Sequence, residues 1–156
     1  MRRTWRASGA LNKQMFRVVL DTNVLRAALW SSSGASFRLV SRLPIPKVTV
    51  LLSVPLYFEY QEVLTGAANL PPGVSVARMQ GFLRRFAALA EPREIYFLWR
   101  PWLRDGDDDM VLELAVGGSA THLVTFNLRD FEGVESAFGI RVVTPAQFLA
   151  SLPTQP

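Results

Sequence analysis

The sequence contains no cysteine, a single histidine (His122) and only two lysines, Lys13 and Lys47. The missing cysteine excludes a disulfide framework, thiolate zinc sites and cysteine nucleophiles, and it leaves the cytoplasm as the default setting. His122 stands at the entrance of a strand-like run, which favours a structural or surface role over a catalytic one. No apolar run reaches the ~18 residues that a membrane span requires. The charged N-terminus is not followed by an apolar stretch of about 7–15 residues, so it does not read as a secretory signal. Charged residues are scarce too, at 19%.

What is present is apolar and unevenly charged. Hydrophobic residues make up 49% of the 156 positions and the mean hydropathy is +0.18, so part of the surface is expected to be covered by a partner. The length is that of one ordinary domain. The formal charge of +4 and a pI of about 10.1 invite a nucleic-acid reading. Residues 1–15, however, hold Arg2, Arg3, Arg6 and Lys13 and no acid, and without them the net charge is zero. We read 1–15 as a basic extension, disordered or a basic arm that touches RNA, 16–152 as one domain, and 153–156 as a tail. Within the domain, residues 78–104 carry six arginines against Glu91 and Glu94, and 105–135 carry eight acids against Arg129 alone.

Apolar runs alternate with helical spacing along the chain. Phe16 to Leu20, Lys47 to Ser53, Glu94 to Leu98, His122 to Thr125 and Arg141 to Val143 read as strands. Helices are expected from Asn23, over Ser36–Leu43, over Leu56–Leu64 with Pro55 in its first turn, over Val76–Leu89, over Asp108–Val116 and over Pro145–Leu152. Continuously apolar strands separated by helices imply βαβ units. The expected fold is a three-layer α/β/α sandwich with a central, mainly parallel five-stranded sheet, whose ligand site lies beyond the carboxyl ends of the strands.

Acids stand at those ends. Asp21, with Thr22 and Asn23, closes the first strand, although all three are also good helix caps. Glu59 and Glu62 share a side of the helix after the second strand, and Glu59 is the better placed of the two. Asp105, Asp107, Asp108 and Asp109 crowd one helix start; the dipole and capping account for two of them, and the surplus needs a cation. Asn127 and Asp130 follow the fourth strand, where a turn stabilised by Asn127 is the bland alternative.

VVLDTNVL (18–25), EYQEVL (59–64), DGDDDMVLELA (105–115) and HLVTFNLRDF (122–131) together resemble the PIN domain, in the family's order, over about residues 16–150, and in particular its branch of toxin components from toxin–antitoxin pairs. The resemblance places Asp21, Glu59 and Asp108 on the family's first three acids, and either Asp130 or Asn127 on the fourth. It implies an endoribonuclease dependent on Mg²⁺ or Mn²⁺, a homodimer and a cognate antitoxin. Phosphodiester hydrolysis needs an activated water and charge stabilisation, which one or two such ions can supply. Thr22, Asn23 and Thr125 are then candidates for holding the carboxylates in place. Arg78, Arg84, Arg85, Arg100 and Arg104, with Trp99 and Trp102, are candidates for RNA contact, balanced by an equal case for solvated helix faces and core.

Three rival readings compete with this one. A phosphoacceptor receiver domain needs a lysine near the fifth strand, which this chain lacks. A haloacid-dehalogenase-type phosphohydrolase needs an acid two residues after Asp21, where Asn23 stands. A PIN fold that binds RNA or protein without cleaving remains open because of Asn127.

Overall fold

The computed structural model describes residues 15–95, 103 and 105–154. The basic extension up to residue 14, the connector 96–102 and Arg104 lie outside the described residues, and with them Trp99, Arg100 and Trp102.

Five parallel strands form one sheet in the order β3-β2-β1-β4-β5. They are β1 (Phe16–Leu20), β2 (Val48–Leu52), β3 (Glu91–Pro92), β4 (His122–Val124) and β5 (Arg141–Val143). Between and after them run α1 (Thr22–Trp30), α2 (Ala35–Ser41), α3 (Val54–Thr65), α4 (Val76–Leu89), α5 (Gly106–Gly117), α6 (Val134–Phe138) and α7 (Pro145–Ser151). The expected three-layer α/β/α sandwich is the observed one. β1 is central because its Val18, Val19 and Leu20 are at most 1% exposed and fit only where both faces of the sheet are covered.

The third strand is displaced from its expected place. The apolar pattern of residues 94–98 points to a strand there; pairing with β2 is seen at Glu91 and Pro92, opposite Leu51 and Leu52, Glu94 and Ile95 are not in a strand, and 96–98 lie outside the described residues. A long-range contact accompanies this pairing. Arg17 on β1 reaches over β2 to Glu91, with Nη2 2.6 Å from Oε2, while its Nε donates to the Gly118 carbonyl at 3.0 Å. Proline is tolerated because β3 is an edge strand.

Caps set the helix starts. Ser53 Oγ accepts from the Leu56 amide at 3.2 Å, Ser75 Oγ from that of Arg78 at 3.1 Å, and Thr144 and Gln147 form a reciprocal capping box. α5 stops at Gly118, where a Cβ would lie 2.9 Å from the Leu114 carbonyl oxygen and 2.7 Å from Leu51 Cδ1.

Two core residues bear on the site's framing. Tyr60 of α3 is fully buried, packs edge-on against Phe86 and donates its hydroxyl to the carbonyl of Leu20, the last residue of β1. That bond ties α3 to the carboxyl end of the central strand. Tyr60→Phe leaves the carbonyl without this donor, and its melting temperature is expected to fall by about 3–6 °C, checked by calorimetry.

At the opposite end of the sheet His122 is 8% exposed between Phe16 and Phe148, whose ring centroids lie 5.5 and 5.3 Å away. Its Nδ1 is 2.8 Å from Thr121 Oγ1. Burial, helped by Arg141, holds its pKa below the usual histidine value. The unfolded chain therefore binds a proton at His122 before the folded one does. The stability it contributes is complete above about pH 6.5 and is lost as pH falls through the lower folded value. The melting temperature of the parent should accordingly drop more between pH 7 and pH 5 than that of His122→Gln; parallel curves would count against this.

Candidate active site

Asp21, the residue after β1, caps α1 and does more than cap it. Its Oδ1 accepts from the Thr22 amide at 2.8 Å, and its Oδ2 accepts from the Thr125 hydroxyl at 2.8 Å and from Asn23 Nδ2 at 3.3 Å. The register of β1 on β4 places Leu20 beside Val124, so Asp21 and Thr125 leave the sheet at one level. Thr125 Oγ1 also accepts the Asn127 amide at 3.0 Å, and Asn23 Oδ1 receives that of Phe126 at 3.4 Å. Thr22 acts through its backbone; Asn23 and Thr125 act through their side chains.

Around Asp21 opens a cleft of about 210 Å³ lined by Thr22, Asn23, Arg26, Glu59, Val63, Asp105, Asp107, Asp108, Val111 and Asn127. Glu59 comes from α3 and Asp107 and Asp108 from the first turn of α5, so three elements deliver carboxylates to one place. Asp130 is exposed and does not line the cleft, but its charge is felt by Asp21 and Asp108. Glu62 stays exposed on α3.

The four acids at the start of α5 separate by task. Asp105 is the cap, its Oδ1 accepting from the Asp107 amide at 2.9 Å. Asp109 turns inward, 2% exposed, and its Oδ1 accepts from the Leu103 amide at 2.8 Å, leaving Oδ2 without a hydrogen bond. Asp107 and Asp108 line the cleft without a capping or inward role, beside Asp105, which caps the helix and lines the cleft as well.

The electrostatics are those of crowded, poorly solvated anions. Burial raises the pKa of Asp21, with Asp130 and Asp105 adding to the rise and the Thr125 and Thr22 hydrogen bonds opposing it. Glu59 is raised by burial and then by Asp107, Glu62, Asp21 and Asp105. Asp108 is pushed up to about 7, by burial first and then by Asp21, Asp105, Asp130 and Asp107. Each acid disfavours the ionisation of the next, as like charges in a confined space must.

Among the described residues no three acid side chains stand close enough to form a closed metal-binding group. The donors nevertheless fit a hard divalent cation: all are oxygens, they come from three elements facing one cleft, and they raise one another's proton affinity. The sequence profile of the PIN domain matches residues 17–129, which takes in β1 from its second residue, Asp21, Glu59, Asp108 and Asn127. The chain belongs to the PIN-domain family.

Solved structures agree with the PIN-domain assignment. VapBC2 from Rickettsia felis, bound to a DNA fragment from its promoter, aligns with a TM-score of 0.56 at 16% identity over 81% of this chain and 96% of the other. VapBC-1 from nontypeable Haemophilus influenzae aligns with a TM-score of 0.57 at 15% identity over 83% and 98%. At such identities the likeness is one of fold. No curated protein matches by sequence.

Of the arginines singled out by sequence, Arg78, Arg84 and Arg85 are exposed on α4 and none lines the acidic cleft of this PIN domain. Arg84 instead borders the larger apolar groove of about 720 Å³ formed with Leu52, Tyr57, Phe58 and Pro92, which shares no lining residue with the cleft. The basic residue that does line the cleft, Arg26, went unnoticed in the sequence. Its signal was its position three residues after Asn23, on the same helix face.

Proposed function

We propose that this PIN domain is a metal-dependent endoribonuclease, the toxin of a toxin–antitoxin pair, acting at the Asp21 cleft. The observation that carries the reading is the convergence of Asp21, Glu59 and Asp108 on one cleft, where each raises the pKa of another or is raised by it. Asp21, Glu59 and Asp108 would hold one or two Mg²⁺ or Mn²⁺ ions, with Asn127 the fourth donor lining the cleft and Asp130 adding negative charge from outside it. A divalent ion bound there supplies the positive charge that hydrolysis of a phosphodiester requires.

The chain's own residues supply the rest. Thr125 and Asn23 orient one oxygen of Asp21 and the Thr22 amide the other, so the carboxylate is fixed before anything binds. Val63 and Val111 close the cleft's apolar flank and limit its water. With the only histidine at the far end of the sheet, no side-chain imidazole serves as the base. In this reading a cognate antitoxin shields the cleft and the domain works as a homodimer, in keeping with the VapBC complexes of like fold.

The test is cleavage of cellular RNA by the purified protein with Mn²⁺ or Mg²⁺. Activity is expected to vanish with chelator and to return with added cation, and sequencing of the new 5′ ends then defines the substrate. Absence of cleavage from every RNA tested, together with no heat of Mn²⁺ binding in calorimetry, would overturn the nuclease and leave a binding module.

A further inference from the structure

Arg26 is the one basic side chain among the described residues that line the acidic cleft, and it is not engaged in neutralising it. Neither ion pair found among the described residues involves it. It stands exposed on α1, a free cation at the rim of an anionic site.

The cleft continues past it. A second groove of about 220 Å³ is lined by Asn23, Arg26, Ala27 and Trp30, and Asn23 and Arg26 line both spaces. These residues follow the spacing of a single helix face, and the small side chain of Ala27 leaves the path between Arg26 and Trp30 open. Trp30 is 47% exposed, yet its indole Nε1 donates to the Asn69 carbonyl at 2.8 Å. That bond satisfies the only polar atom of the ring and restrains its position, leaving part of its apolar surface exposed. Arg26 and Trp30 stand four positions apart on one helix face, about 6 Å of rise along the axis, a spacing that the phosphate and base of one nucleotide can span.

On the nuclease reading above, we infer that the Arg26–Trp30 face of α1 is a subsite for one unpaired nucleotide beside the cleaved bond, Arg26 taking its phosphate and Trp30 stacking on its base. A stacking platform accepts any base but not a paired one, so the subsite selects single-stranded RNA and adds affinity with little sequence preference. The partner of this face is thus the substrate of the cleft.

The experiment uses the full chain in Mg²⁺ with phosphorothioate-linked single-stranded oligoribonucleotides, which resist hydrolysis, carrying 2-aminopurine at successive positions. Quenching is expected at one position next to the centre of the bound strand. Trp30→Ala should lose that quenching and weaken binding about ten-fold, with Trp30→Phe retaining most of both. Arg26→Gln should reduce the slope of log affinity against log salt by about one, and Arg26→Lys should preserve it. Circular dichroism melts establish that each variant is folded, and the two conservative variants decide the matter if Trp30→Ala is not. Equal affinity and equal quenching for parent and Trp30→Ala would overturn the subsite, as would concentration-dependent burial of Trp30 by a second copy without RNA. Quenching without cleavage of ordinary RNA supports the subsite and removes the nuclease; cleavage without Trp30-dependent quenching does the reverse.

Discussion

Asp21→Asn is expected to lower RNA cleavage about a thousand-fold while moving the melting temperature of the metal-free protein only slightly. Asn is nearly isosteric, so its oxygen still accepts the Thr22 amide that caps α1. On the other side its NH₂ group replaces Oδ2, which now accepts from Thr125 and Asn23. Thr125 Oγ1 must then take protons from both Asn127 and the new amide, and Asn23 Nδ2 faces a second donor. Loss of a buried negative charge stabilises the fold, and the mismatched hydrogen bonds destabilise it. The two effects oppose each other, so an inactive but folded protein is the expected result, read by cleavage assay beside a thermal melt. A variant that retains cleavage within ten-fold of the parent would remove Asp21 from the reaction.

The second large effect concerns stability. Without cation the cleft holds carboxylates that repel one another, most visibly at Asp108, whose pKa lies near 7. Asp108→Asn in chelator should therefore melt above the parent, by something on the order of 1–2 kcal/mol once solvent screening of this half-buried group is allowed for. Added salt should narrow that gap. Added Mn²⁺ should reverse it. A cation at a hundred times its Kd contributes about 2.7 kcal/mol to the parent, or about 5–10 °C at this chain length, and little to Asp108→Asn. A parent whose melting temperature is indifferent to Mn²⁺ and Mg²⁺ would contradict the proposed ion site.

The sequence made β1 legible because a β-branched run stops abruptly at a residue that both caps a helix and carries charge. Asp21 stood out for the same reason, at the carboxyl edge of the sheet, and Asp108 as part of an acidic helix start; Glu59 lies mid-helix, and only its spacing from Glu62 and its apolar neighbours marked it. Asp109 was harder, since nothing in the run of three aspartates tells which one turns inward; the Leu103 amide decides that, and it belongs to another segment. The strand expected over 94–98 lies largely outside the described residues; the pairing seen at Glu91 and Pro92 comes with a contact to Arg17, 74 residues earlier in the chain, which local β-propensity does not register. Arg26 was overlooked because a lone arginine on a helix resembles any solvated one until its neighbours across the cleft are known. Asn127 and Asp130 could not be ranked from spacing alone, as the short 3₁₀ turn Leu128–Phe131 carries the second away from the cleft lining.

The bond between Asp21 and Thr125 joins residues 104 positions apart. During synthesis the N-terminal half, with β1, β2 and Glu59, emerges long before β4 exists, and contacts of such separation form late. Until β4 docks, Asp21 lacks the hydroxyl that orients it, and α5 has no completed sheet to hold Asp108 over the cleft. On the proposed function, a chain truncated before Thr125 is expected to show no cleavage, since it lacks the hydroxyl that orients Asp21. The strand order of the sheet thus makes the cleft depend on residues from both ends of the domain, the last of them supplied just after β4.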